Sequence, residues 1–96
     1  MELFIFAPLR ARPGSESAVA EALHDVLPPT RGEEGCLSVH AFRSVRDPRV
    51  FYVHSRWEDE AAFDRHAGLP HTVRFIERVE PLIDHPLEVT RTERIG

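Results

Sequence analysis

The chain has no lysine, asparagine or glutamine, so every basic charge is an arginine. Acid-base chemistry must fall to His, Asp, Glu, Arg or the single tyrosine, Tyr52. It has one cysteine, Cys36, which cannot close an internal disulfide and lacks the thiolate partners of a structural zinc site. Cys36 reads as a small, half-buried apolar side chain. No apolar run approaches the roughly 18 residues of a membrane span. The first apolar stretch, Leu3 to Leu9, lacks a basic leader and is too short for a signal peptide, so no membrane partner and a cytoplasmic location are expected. Positive charge is not in excess either: 12 basic against 16 acidic residues leave a formal charge of -4. A phosphate-backbone partner calls for basic charge gathered on one face, so nucleic acid is not expected.

What is present suits one globular domain. The 96 residues are 42% hydrophobic and 29% charged, near the average for soluble folded chains, and a single domain over 1–96 is expected. Leu3, Ile5, Ala7, Leu9 and Ala11 alternate with Phe4, Phe6, Pro8 and Arg10 until Pro13-Gly14, which predicts a first strand with both faces apolar near its start. Ser15 is placed to cap a helix in which Val19, Ala22, Leu23, Val26 and Leu27 form the inward stripe, and Pro28-Pro29 should end or kink it. Glu33-Glu34-Gly35 reads as a loop. From Cys36 the chain alternates again to Arg46-Asp47-Pro48, and Val50 to Trp57 returns as the second half of a hairpin. A three-residue loop pairing Val45 with Arg49 brings the apolar faces of both strands together and sets His40 opposite His54.

Glu58, Asp59 and Glu60 mark a helix start, with Ala62, Phe63 and His66 on one face. Gly68 and Pro70 break that helix, after which Val73, Ile76 and Val79 continue an inward stripe. Leu87 to Ile95 alternates weakly, as an edge strand or one exchanged with a neighbour would. The order strand, helix, two strands, helix, strand predicts an α+β, ferredoxin-like split βαβ sandwich: one antiparallel sheet with both helices on one face. The other face would then bear Phe4, Phe6, His40, Phe42, Tyr52, His54 and Arg56. That is too much aromatic area for water, so a homodimer joined through this face is expected.

In these residues the chain resembles the antibiotic biosynthesis monooxygenase family of dimeric α+β barrels. The carriers, in order, are Arg12-Pro13-Gly14, Glu33-Glu34-Gly35-Cys36, Trp57-Glu58 and the segment His66 to His71, reading HAGLPH. The resemblance spans essentially the whole chain. It implies a monooxygenase that needs no cofactor: a phenol or quinol is deprotonated and its anion reduces dioxygen directly. It also implies a pocket between sheet and helices, within reach of Ala7, Val53, Trp57, Phe63 and His66. Haem-degrading relatives carry an Asn, a Trp and an iron-ligating His at positions that align without gaps with Ala7, His66 and Ile76, so haem degradation is not expected here.

Weighed singly, His66 is the candidate base, because an imidazole titrates near neutral pH and this one falls on an inward stripe beside Phe63. Trp57 would wall an aromatic ligand, and Ala7, Val53 and Phe63 would line the same space. His71 would cap a helix or offer a second polar contact, and Arg43 would neutralise an anionic substrate or reach to water. His66 and His71 straddle Pro70 with no carboxylate in their segment, so no metal site is expected. The leading expectation is a cofactor-independent monooxygenase acting on a small phenolic or quinol compound. Two alternatives stay open: an isomerase of a small anionic carbonyl compound, and a non-catalytic dimeric binder of small hydrophobic molecules.

Overall fold

The computed structural model describes residues 1–96. The chain runs β1 (Leu3–Arg10), α1 (Glu16–Arg31), β2 (Cys36–Arg43), β3 (Val50–Trp57), α2 (Glu60–Ala67), α3 (Pro70–Val79), a 3-10 turn (Glu80–Leu82) and β4 (Thr90–Thr92). The strands form one antiparallel sheet in the order β2-β3-β1-β4, the ferredoxin-like arrangement. The helices cover one face. Alternation decides which: Leu3, Ile5, Ala7 and Leu9 of β1 are buried beneath them, with Phe51, Ser55 and Trp57 of β3 and Val39 of β2.

The hairpin register is the expected one. His40 lies opposite His54 and Phe42 opposite Tyr52, but an irregularity between Cys36 and Ser38 shifts the start of β2 by a residue. The expected three-residue loop is replaced by a longer one. Pairing ends at Arg43–Phe51, and the Ser44 hydroxyl accepts the amides of Arg46 and Asp47 at 3.2 and 3.1 Å while the Asp47 carboxylate accepts Arg49 N–H at 3.0 Å. These side chains satisfy the turn locally, so Val45 is left at the tip, fully exposed, instead of pairing with Arg49.

Three helix details depart from expectation. Ser15 makes no side-chain cap bond; the Glu16 carboxylate instead accepts the Gly14 amide at 3.2 Å. α1 does not end at Pro28-Pro29 but runs on to Arg31. Each proline removes an amide donor and leaves the carbonyl four residues earlier, His24 O or Asp25 O, without its helical bond, while the Thr30 hydroxyl adds a bond to Val26 O at 2.8 Å. In α3 the inward side is Thr72, Phe75, Ile76 and Val79, whereas Val73 faces out and is 40% exposed. Of the predicted last strand only Thr90–Thr92 pairs, at the sheet edge beside Phe4 to Phe6.

The core divides in two. Leu9, Ala11, Val19, Ala22, Leu23, Phe51, Val79 and Ile83 pack at one end, and Leu3, Ile5, Trp57, Ala62 and Phe63 at the other. Between them, mid-sheet, Ala7 lies opposite Val53, which lies opposite Ala41. Such short side chains do not reach the helices above, and a hollow remains. The opposite face of the sheet has no cover: Phe6, Phe42 and Tyr52 are each about half exposed, at 50%, 53% and 50%.

Candidate active site

The hollow is a cavity of about 360 Å³ between the sheet and the helices, a size within the usual range of small-molecule sites. Its walls are mostly apolar. Ala7 and Val53 form its floor, Trp57, Phe63 and His66 one end, and Phe75, Ile76, Leu87 and Val89 close other sides. Of the residues singled out from the sequence, Ala7, Val53, Trp57, Phe63 and His66 therefore come together here. Arg43 and His71 do not line it. The Arg43 guanidinium stacks on the Phe51 ring, 4.8 Å from its centroid, near the hairpin loop.

His66 is packed among rings: its centroid lies 4.7 Å from that of Trp57 and 5.6 Å from that of Phe63. α2 puts it there. The Asp59 carboxylate caps that helix by accepting the Ala62 amide at 2.9 Å, which turns Ala62 and Phe63 to the core and His66 one turn later to the cavity. Behind His66 lies Glu33, from the loop between α1 and β2. One Glu33 oxygen, Oε2, is 2.7 Å from His66 Nδ1 and 2.6 Å from His71 Nε2, and the Glu33 side chain is only 7% exposed. Thr72 Oγ1 lies 3.3 Å from the same Nδ1. An ionised carboxylate only accepts, so both ring nitrogens facing it carry the proton. In the neutral ring this selects the Nδ1–H tautomer of His66, which leaves the lone pair on Nε2.

Glu33 was missed as a functional residue in the sequence. In the sequence it stands in a loop and within one carrier of the family resemblance, with no role assigned, and its partners lie 33 and 38 positions further on. Gly35 holds that loop in place: its φ is +87°, and a Cβ there would stand 2.5 Å from Ala62 Cβ, so the loop reaches the start of α2 only without a side chain. His71 is held by Glu33 and caps nothing; the residue capping α3 is Leu69, with no side-chain bond.

The structure also supplies the carboxylate that the His66–His71 segment lacks. Donor atoms of Glu33, His66 and His71 all lie within 4.8 Å of one another, as ligands of a metal ion do. Yet both nitrogens sit at hydrogen-bond distance from a single oxygen. Ligands of a tetrahedral ion with bonds of about 2.0–2.1 Å stand roughly 3.3 Å apart. The triad is built as hydrogen bonds, and an ion would have to displace two of them.

Charge at the cavity is sparse. Arg91 of β4 lies over the Phe63 ring at 5.0 Å and donates to Asp64 at 2.7 Å and Glu60 at 3.2 Å. The bond to Asp64 first, then the one to Glu60, raises its pKa above the ordinary guanidinium value. Cys36 lies outside the cavity, and burial, with Glu33 nearby, pushes its thiol pKa up.

A family model for antibiotic biosynthesis monooxygenases matches residues 3–78. The chain belongs to the antibiotic biosynthesis monooxygenase family. Among the family-like proteins it resembles, the candidate monooxygenase Rv0793 of Mycobacterium tuberculosis is 31% identical over 86 residues, covering 90% of this chain and 84% of its relative. Its solved structure superposes with a TM-score of 0.93 over 100% of this chain and 97% of that one, at 27% identity. The candidate monooxygenase YcnE of Bacillus subtilis is 28% identical, covering 91% and 92%. PA3566 of Pseudomonas aeruginosa superposes with a TM-score of 0.91 at 29% identity, covering 99% and 95%. Family membership accounts for the expected fold and for a monooxygenase-like function.

Proposed function

We propose that the chain is a cofactor-independent monooxygenase that oxidises a small phenol or quinol in the cavity, with His66 as base. The observation that carries this is the 2.7 Å contact between Glu33 Oε2 and His66 Nδ1. It sets the tautomer that leaves Nε2 free to take a proton, the same use of a buried carboxylate behind a histidine as in hydrolytic triads. Glu33 acts through His66 and is a positioning residue. Trp57 and Phe63 flank the substrate ring and keep water out.

The chemistry balances without an external reductant. His66 Nε2 takes the hydroxyl proton, and the phenolate passes one electron to dioxygen, giving a phenoxyl radical and superoxide. These join at a ring carbon ortho or para to the oxygen that bears a hydrogen. The resulting hydroperoxide loses that hydrogen and the distal oxygen as water, so that the phenol or quinol and dioxygen become a quinone and water. The proton held by His66 returns in that loss.

Replacing His66 with Ala should lower oxygen consumption by the roughly 10²–10⁴-fold typical of a lost general base. Oxygen uptake that survives this change intact refutes the assignment. An isomerase of anionic carbonyl compounds finds less support, because the arginine proposed for it, Arg43, stacks on Phe51 outside the cavity. A non-catalytic binder is favoured by the apolar walls alone; ligands recovered chemically unchanged after aerobic incubation would establish it. We also propose that a second copy covers the bare sheet face, with Phe4, Phe6, His40, Phe42, Tyr52 and His54 at the seam.

A further inference from the structure

The inward face of β3 carries Phe51, Val53, Ser55 and Trp57, three apolar side chains and one hydroxyl. Ser55 is 4% exposed and lines the cavity. Its Oγ accepts the Trp57 indole N–H at 2.9 Å, a bond buried on both sides. A hydroxyl both accepts and donates, and no acceptor within the protein takes the Ser55 proton. Across the sheet its neighbours are Ile5 and Val39, both apolar. The donor half of this hydroxyl is thus unspent beside an apolar space, where a ligand oxygen is the partner that would satisfy it.

Two further features narrow that ligand. The charged residue of the lining, Arg91, already holds two carboxylates, so an anionic ligand meets no free cation and pays for desolvation alone. The His66 ring lies tilted against Trp57 with the centroids 4.7 Å apart, whereas Ser55 sits at the indole N–H edge, so the free lone pair of His66 and the free proton of Ser55 meet a ligand at different points.

We propose that Ser55 forms an oxygen-binding subsite and that the cavity takes neutral hydroxyarenes bearing a second oxygen conjugated with the hydroxyl. The hydroxyl faces His66 Nε2 and gives up its proton there. The second oxygen accepts the Ser55 hydroxyl and gathers the negative charge that the ring carries across. The bond from Trp57 polarises Ser55 in the direction that strengthens its donation. This inference rests on the cavity being the site of deprotonation, and it adds the substrate feature that site selects.

The test is anaerobic, so that binding is read without turnover. Wild-type protein is titrated with 4-hydroxybenzaldehyde, with 4-methylphenol, which has the same shape but no second oxygen, and with 4-hydroxybenzoate, which is already charged. The aldehyde should bind about tenfold more tightly than 4-methylphenol, as one hydrogen bond to a charged oxygen provides, and 4-hydroxybenzoate should bind most weakly. Its ultraviolet spectrum should show a larger ionised fraction when bound than in buffer at the same pH. Ser55→Ala should erase the tenfold preference and the spectral shift, and Ser55→Thr should restore both. Equal affinity of the wild type for the two neutral ligands, no binding of either, or a preference that persists in Ser55→Ala would overturn the subsite. Loss of the subsite with oxygen uptake still dependent on His66 would leave the oxygenase reading standing.

Discussion

Glu33 and His66 come from different halves of the chain and meet at 2.7 Å, carboxylate oxygen to ring nitrogen, behind a cavity that only the histidine enters. Replacing Glu33 with Gln removes the charge and leaves an amide that can present either an oxygen or an NH₂ to Nδ1. The second choice fixes the wrong tautomer. Glu33→Gln should therefore lower kcat by about 10²-fold or more while leaving ligand affinity within a factor of about two, since Glu33 does not touch the ligand. Steady-state oxygen uptake beside a binding titration separates the two; a change in affinity alone would place Glu33 in the cavity wall instead.

Gly35 should tolerate no side chain. A Cβ there meets Ala62 Cβ at 2.5 Å and would also have to adopt a φ of +87°. Gly35→Ala is expected to lose about 1–3 kcal/mol in urea unfolding through overpacking and strain. Because the same loop carries Glu33, activity should fall further than the folded fraction does.

The sheet face bearing Phe6, Phe42 and Tyr52 should bind its own copy. Sedimentation should give about twice 11.0 kDa at micromolar concentration. Phe42→Glu places an unpaired charge in a desolvated seam and should dissociate or unfold the dimer. A wild-type monomer would refute the interface.

Asp84 should make stability sensitive to acid. Its carboxylate accepts from His85 at 2.8 Å, Arg10 at 2.7 Å and Arg49 at 3.0 Å. The bond to His85, followed by that to Arg10, holds its pKa below the ordinary 3.8. A depressed carboxylate pKa stabilises the fold fully above the unfolded value, and that contribution fades as pH falls through the folded value, where the unfolded chain already holds the proton. Urea midpoints of wild type and Asp84→Asn should differ at neutral pH and converge below the ordinary carboxylate range.

Alternation sufficed to place β1, β2 and β3 and the faces they bury, because a period of two leaves a strand no other way to hide Leu3, Ile5 and Leu9 together. The shift at Cys36/Ser38 was not legible, since a residue slipped at a strand end changes no pattern further along. Nor was the run of α1 past Pro28-Pro29, since a proline in a helix removes one bond and costs stability without dictating where the helix stops. Within the site, Trp57, Phe63 and His66 follow from spacing. Glu33 does not, because acid in a loop looks the same whether it is solvated or set beneath two histidines. Ser55 carries no site signal in the sequence either, because its weight depends on Trp57 having claimed only half of its hydroxyl.

The brevity of β4 has a kinetic consequence. Leu87, Val89 and Arg91, which close the cavity on that side, hang on a strand with three paired residues at the edge of the sheet, the Thr92 hydroxyl bond to Phe4 O at 2.7 Å and the exposed ion pairs of Arg91. Local opening is cheapest where few apolar contacts and few protected amides must be given up. Amide protons of Thr90 to Thr92 should accordingly exchange with solvent long before those of β3, and molecules should enter and leave the cavity by the breathing of this margin, with the packed helices at rest.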